Sequence, residues 1–76
     1  MTRNEIRAYL IKMLPAYVAD VGIEECAKLG HLIITVIPRR DSELGKEDIA
    51  LAVTNLASRK VSAHIVPTVE VIDAQD

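Results

Sequence analysis

The stretch HLIITVI, residues 31–37, is the most apolar run of the chain and indicates a β-strand. It is rich in β-branched residues and lies between Gly30 and Pro38, as strands commonly do. Its alternate residues are Leu32, Ile34 and Val36 on one face and Ile33, Thr35 and Ile37 on the other. A strand covered on one side usually alternates apolar with polar residues. This pattern therefore predicts either a central strand covered on both faces or a second face that meets another subunit.

A helix is predicted at the start of the chain. Thr2-Arg3-Asn4-Glu5 has the form of a capping box, in which the Thr hydroxyl accepts from the third helical N–H and the Glu side chain reaches back to the cap. Apolar residues at three- and four-residue spacing then continue the helix. Because Pro15 disfavours helical geometry at the residue before it, we expect the helix to end at Leu14.

The segment between this helix and HLIITVI is open to two interpretations. AYVADVGI, residues 16–23, alternates with the period of a half-buried strand. The alternative is a helix over 16–28, which Val18, Val21 and Gly22 disfavour. We expect EECAKLG, residues 24–30, to be a polar connection or a single helical turn that ends at Gly30.

A second helix and a last strand are predicted after HLIITVI. Apolar residues form a helical stripe between Lys46 and about Ser58. The following segment predicts a strand over 61–72, and Pro67, which lacks a donor N–H, places this strand at a sheet edge or at a bulge. The expected order is α-β-β-α-β, an α+β fold in which a three-stranded sheet carries two helices on one face. At 76 residues the chain is expected to be a single domain, 1–76, with a thin core.

Composition excludes several classes of function. Nine basic and eleven acidic residues give a net charge of −2, without the basic excess of a nucleic-acid binder, and aromatic stacking platforms are scarce. Because Cys26 is the single cysteine, the chain has no internal disulfide, which fits a reducing cytoplasm. No apolar run approaches a membrane span and no signal peptide is evident, so we expect a cytoplasmic protein without membrane contact.

The order of elements resembles the small C-terminal domain of adenylate-forming enzymes, the acyl-CoA and aryl-CoA ligases that include phenylacetate-CoA ligase. The matching pieces span nearly the whole chain: Glu5-Ile6, PAYVAD (15–20), HLIITVIP (31–38), ELGKEDIALAVTNLA (43–57) and KVSAHIVPTVEVID (60–73). The large nucleotide-binding domain and the glycine-lysine catalytic segment of that family have no counterpart here. The resemblance therefore implies the scaffold without the adenylation chemistry, as an accessory domain whose enzyme is encoded separately.

The loop IPRRDSELGKED, residues 37–48, is a candidate anion or partner contact. Gly45-Lys46 is similar to the end of a phosphate-binding Walker loop, but Arg40 stands at the first glycine position and Glu47 replaces the hydroxyl residue. A weaker site remains, in which Arg39, Arg40 and Lys46 meet an anion or an acidic partner near the start of the second helix. Since carboxylates crowd the same segment, a solvated loop paired with itself is the favoured alternative.

No catalytic, metal or cofactor site is predicted elsewhere. His31 and His64 have no carboxylate at ligand spacing, and Glu24-Glu25 are sequence neighbours that rarely converge on one substrate atom. Cys26 lies beside two acids that disfavour its thiolate. We therefore expect a non-catalytic module that dimerises or docks on a larger protein, through the free sheet face or the edge of the last strand. The alternatives are the accessory domain described above and a small regulatory domain that binds a metabolite anion.

Overall fold

A computed structural model describes residues 2–26, 30–61 and 65–73. Five elements follow one another: α1 (Arg3–Met13), β1 (Val18–Cys26), β2 (His31–Pro38), α2 (Lys46–Ser58) and β3 (Val66–Val71). The predicted order α-β-β-α-β and the α+β fold class are confirmed.

The sheet has the strand order β1-β2-β3, so β2 lies at its centre. β1 runs antiparallel to β2, with Val21 opposite Val36. β3 runs parallel to β2, with Val69 opposite Ile34, and α2 forms the crossover between them. Because a parallel neighbour cannot be reached by a tight turn, the helix after β2 is what allows β3 to join the sheet on the far side from β1.

The first helix begins and ends as predicted. The Glu5 N–H donates to the Thr2 hydroxyl at 3.2 Å, which is the capping bond that the sequence indicates. The reciprocal half of the capping box differs, because the Thr2 hydroxyl donates to the Glu5 carboxylate at 3.2 Å. Leu14 is the C-cap, one residue before Pro15.

The segment after α1 forms a longer strand than predicted. The structure has a strand where the alternative helix was considered, and this strand extends through Glu24 and Glu25 to Cys26. The expectation of a polar connection or a helical turn over 24–30 is therefore wrong for 24–26. Pairing with Ile33, Leu32 and His31 holds this extension of β1 against β2, which outweighs the low strand propensity of glutamate. Gly30 follows with φ 65°, a left-handed conformation that favours glycine.

The last strand is shorter than predicted. β3 begins at Val66, and residues 62–64 of the predicted strand lie outside the described residues. Pro67 lies in β3, which is an edge strand, as its missing N–H requires.

Ten buried side chains of the described residues form a cluster between the helices and one face of the sheet. The helices contribute Ile6, Leu10, Ile49, Val53 and Ala57, and the strands contribute Val18, Val21, Leu32, Ile34 and Val36. β2 is central and both helices pack on the side of Ile34, as the predicted fold has it, so of the two alternatives for β2 the cover on both faces does not hold. Ile33, Thr35 and Ile37 point to the other side and are only half-buried.

Candidate functional site

The side of the sheet opposite the helices is here called the uncovered face, because neither helix packs on it. The register brings Gly22 and Glu70 beside Thr35, and Glu24 and Thr68 beside Ile33. Neither Ile33 nor Ile37 belongs to the core cluster or packs against it. The middle of this face is thus an aliphatic strip along β2. Its flanks carry Glu24 on β1 and Thr68 and Glu70 on β3, with Val66 and Ile72 beyond them along the β3 side.

The two flanks of the uncovered face are acidic and open. Glu24 on β1 and Glu70 on β3 are both exposed, on opposite sides of the aliphatic strip. Gly22 leaves a gap beside Thr35, since a Cβ placed on this glycine would meet no atom within 4 Å. The face therefore offers two isoleucines, a gap and two carboxylates to any surface that approaches it.

The candidate residues Arg39 and Arg40 lie at the end of this face. Both line a shallow hollow that also includes Ala19, Ile37, Pro38 and Asp41. Arg39 Nε lies 3.0 Å from Asp41 Oδ1. This guanidinium holds the pKa of Asp41 below its usual value, and the carboxylate in turn raises the pKa of Arg39. The hollow places the Ile37 end of the aliphatic strip beside two guanidinium groups and the Asp41 carboxylate. It therefore carries no large excess of positive charge.

The third candidate, Lys46, lies apart from the arginine hollow. It is the first residue of α2, and its ammonium pairs with the Asp73 carboxylate just after β3. The Lys46 ammonium holds the pKa of Asp73 below its usual value. The structure thus brings Arg39 and Arg40 together and gives Lys46 a separate acidic neighbour at the end of β3.

The other polar residues that the sequence singles out do not converge. Glu24 and Glu25 are adjacent in β1, so their side chains point to opposite faces of the sheet. His31 is exposed at the start of β2, opposite Cys26 in the register, and His64 lies outside the described residues. Within residues 2–26, 30–61 and 65–73 no three His, Cys, Asp or Glu side chains are grouped as metal ligands are.

At the β1 edge of the sheet, side chains occupy the outward backbone groups of Val21. Arg7, on α1, donates from Nε to the Val21 carbonyl at 3.0 Å and also pairs with the Asp20 carboxylate. The same carboxylate accepts from the Val21 N–H at 2.8 Å. The hydrogen bond from the Val21 N–H has the larger effect and that from the Arg7 guanidinium the next, and together they hold the pKa of Asp20 below its usual value. Both edge-facing groups of Val21 are thus occupied, next to a bulge between Val18 and Asp20.

The β3 edge of the sheet is open. Val66 N–H donates to the Gly30 carbonyl and Ile72 N–H to the Val36 carbonyl, so residues of this parity bond to β2. In a parallel ladder the residues between them direct their backbone groups the other way. The backbone groups of Pro67, Val69 and Val71 therefore point away from β2, at the open edge of the sheet. The hydrogen bonds found among the described residues leave the Val69 and Val71 N–H groups unpaired.

Comparison with known proteins gives no match to a protein-family model, a curated protein or a solved structure. The resemblance to the C-terminal domain of adenylate-forming enzymes therefore stays a prediction. Among the described residues, no helix is long and apolar enough to cross a membrane.

Sequence reasoning left open whether the second face of β2 is covered, and it missed how the two edges differ. No local sequence pattern predicts the Arg7–Asp20 pair, because the two residues belong to different elements that meet only where α1 packs on β1. The gap at Gly22 was also missed, although a glycine inside a strand pattern can mark a place where another chain approaches.

Proposed function

We propose that the protein is a non-catalytic interaction module and that its uncovered sheet face binds another protein. The observation that carries this proposal is the position of Ile33 and Ile37 on the face that neither helix covers. Full burial of an exposed isoleucine is worth roughly 1.5–3 kcal/mol, and each of these half-buried side chains can contribute part of that to a complex. The chain does not need these isoleucines for its own core, so their burial is available to a partner.

The charges around the aliphatic strip indicate the chemistry of the partner. Glu24 and Glu70 flank the strip, and the arginines beside Ile37 lie at its end, one of them already paired with Asp41. A complementary surface has aliphatic side chains at its centre and lysine or arginine on both sides of them. We expect a larger protein with such a patch.

The test is a comparison of variants in affinity capture from the source cells. Ile33→Lys places a charge in the centre of the uncovered face and should abolish recovery of the partner. Leu51→Lys is the matched control, because Leu51 is 63% exposed on α2, away from this face. Circular dichroism and thermal melting should show that both variants are folded.

Two outcomes decide the proposal. Equal recovery by wild type and Ile33→Lys would contradict it, as would equal loss in both lysine variants. A third variant with Arg39→Ala and Arg40→Ala tests the arginine hollow. Undiminished recovery by that double variant would limit the contact to the aliphatic strip and its acidic flanks.

A second candidate function is an accessory domain that completes an adenylate-forming enzyme in trans. The α-β-β-α-β order supports it, because the resemblance implies that order. This candidate predicts that the captured protein is a large ATP-binding enzyme without its own small C-terminal domain. Mass spectrometry of the captured protein distinguishes it from a partner of another class.

A further inference from the structure

The two edges of the sheet differ in the side chains that occupy their outward backbone groups. At the β1 edge, Arg7 and Asp20 occupy both outward groups of Val21, and a bulge lies beside them. Such features are ways in which proteins prevent a sheet edge from pairing with another chain. At the β3 edge, the outward N–H groups of Val69 and Val71 have no such protection among the described residues. An open edge of this kind is a template for one more strand.

The pattern of donors and acceptors along β3 is self-complementary. When two copies of β3 lie antiparallel with Val69 at the two-fold axis, each Val69 N–H meets the other Val69 carbonyl. Each Val71 N–H then meets the Pro67 carbonyl of the second copy. The missing N–H of Pro67 falls at the ends of the pairing, where its loss leaves only the Val71 carbonyl without a bond.

Neighbouring registers are poorer. A shift that places Glu70 on the axis sets two like charges directly opposite each other, which is destabilising. A shift that places Thr68 on the axis sets Pro67 opposite Val69, so the missing donor falls in the middle of the pairing. The register centred on Val69 avoids both faults.

The Val69 register also pairs the side chains on the uncovered face without apolar exposure or like charges. Val66, which is 54% exposed, comes to lie opposite the half-buried Ile72 of the second copy. Glu70 comes to lie opposite Thr68, so no like charges face each other. The largest exposed aliphatic side chain of β3 is thereby covered in the pair.

The helix layer leaves room for this pairing. In a right-handed β-α-β crossover, the flank of α2 nearest the β3 edge carries Ala50 and Thr54. Both are small side chains and both are half-buried. The two α2 helices, which become neighbours in the pair, can therefore approach to the roughly 8–10 Å of ordinary helix packing.

The size of the uncovered face adds a reason for pairing. Three strands about 4.8 Å apart and about 20 Å long present a flat area of only ~300 Å². A stable protein interface covers about 800 Å² on each partner. Joining two sheets at β3 doubles the continuous face, which brings it closer to the area that firm docking needs.

We infer that two copies of this chain pair antiparallel through β3, with Val69 at the two-fold axis, to form one continuous six-stranded sheet. This inference goes beyond the proposed docking function, since it concerns the β3 edge and a second copy of the chain. It stands or falls separately from what the uncovered face binds.

The experiment measures association of the purified full chain by sedimentation velocity over a wide concentration range. The wild-type mass should rise from that of one chain to that of two. Thr68→Glu sets two new like-charge pairs across the axis and should raise the dissociation constant about tenfold. Thr68→Lys at the same position sets two opposite-charge pairs and should lower it or leave it unchanged.

A proline substitution in β3 and an intermolecular NMR contact complete the test. Val69→Pro removes the two central hydrogen bonds while the β2 ladder keeps all of its donors, so a folded variant should be monomeric. In mixed-label samples, NMR should show an intermolecular contact between the Hα atoms of Thr68 and Glu70. A monomeric wild type at the highest concentration would overturn the inference. Equal effects of the two Thr68 variants would also overturn it. So would dissociation of the dimer by Ile33→Lys but not by Thr68→Glu. These tests do not depend on whether Val69→Pro folds.

Discussion

The two faces of β2 have nearly the same composition and opposite environments. Leu32, Ile34 and Val36 are at most 3% exposed beneath the helices. Ile33, Thr35 and Ile37 alternate with them along the same strand, but neither helix covers them and they do not pack against the core. The comparison shows that apolar sequence and burial are separate properties. The covered residues provide the folding energy of a small core, whereas the uncovered residues are free to contribute to binding.

The largest expected effect comes from truncating one isoleucine on each face. Ile34→Ala opens a cavity at a side chain with 0% exposure and should lower the free energy of unfolding by about 2–5 kcal/mol. Ile33→Ala removes the same atoms from the uncovered face and should cost less than about 1 kcal/mol. Urea denaturation of both variants measures the difference. Similar losses would mean that the two faces contribute equally to folding.

A smaller effect is expected at the β1 edge, where the helical layer is joined to the sheet by charge. Since the pKa of Asp20 is lowered in the folded chain, its stabilising contribution is present above the usual carboxyl pKa of about 3.9 and is lost as the pH falls through the folded value. Asp20→Asn should remove this part of the acid dependence. The side chain is 49% exposed, so we expect an effect below about 1 kcal/mol.

Thermal melting between neutral pH and about pH 3 measures this contribution. Asp41→Asn is the matched control, because Asp41 also has a lowered pKa but pairs with Arg39 in an exposed loop. A pH profile of Asp20→Asn that follows wild type would show that the Arg7 contact does not stabilise the fold.

The smallest effect is expected from filling the gap on the uncovered face. Gly22→Ala adds a methyl group in open space and restricts the unfolded chain, so it should raise stability by about 0.4–1 kcal/mol. Gly30→Ala should act in the opposite direction, because Gly30 has φ 65°. The two melting temperatures should therefore shift with opposite signs. Destabilisation by Gly22→Ala would mean that the gap is needed by the chain itself.

Local signals predicted most of the fold. The Thr2 cap and Pro15 defined α1, and β-branched residues between Gly30 and Pro38 defined β2. The prediction was wrong at Glu24 and Glu25, because pairing with β2 extends β1 beyond the residues that favour a strand on their own. For β2 the sequence left open whether its second face is covered, since hydrophobicity alone does not say where the helices pack.

The candidate site was less predictable than the fold. Arg39, Arg40 and Lys46 are close in sequence, but Arg39 pairs with Asp41 inside the loop and Lys46 pairs with Asp73 after β3. The contacts that occupy the outward groups of Val21 depend on Arg7 and Asp20, which are 13 residues apart and meet only because α1 packs on β1.

The sequence by itself determined the kind and order of the elements, because capping, proline and hydrophobic period act over a few residues. Only the tertiary structure decided which face of β2 is covered and which edge of the sheet is open. Those features depend on the parallel placement of β3 by α2 and on contacts between distant side chains. Long-range packing sets them, and no local pattern in a single chain encodes that packing.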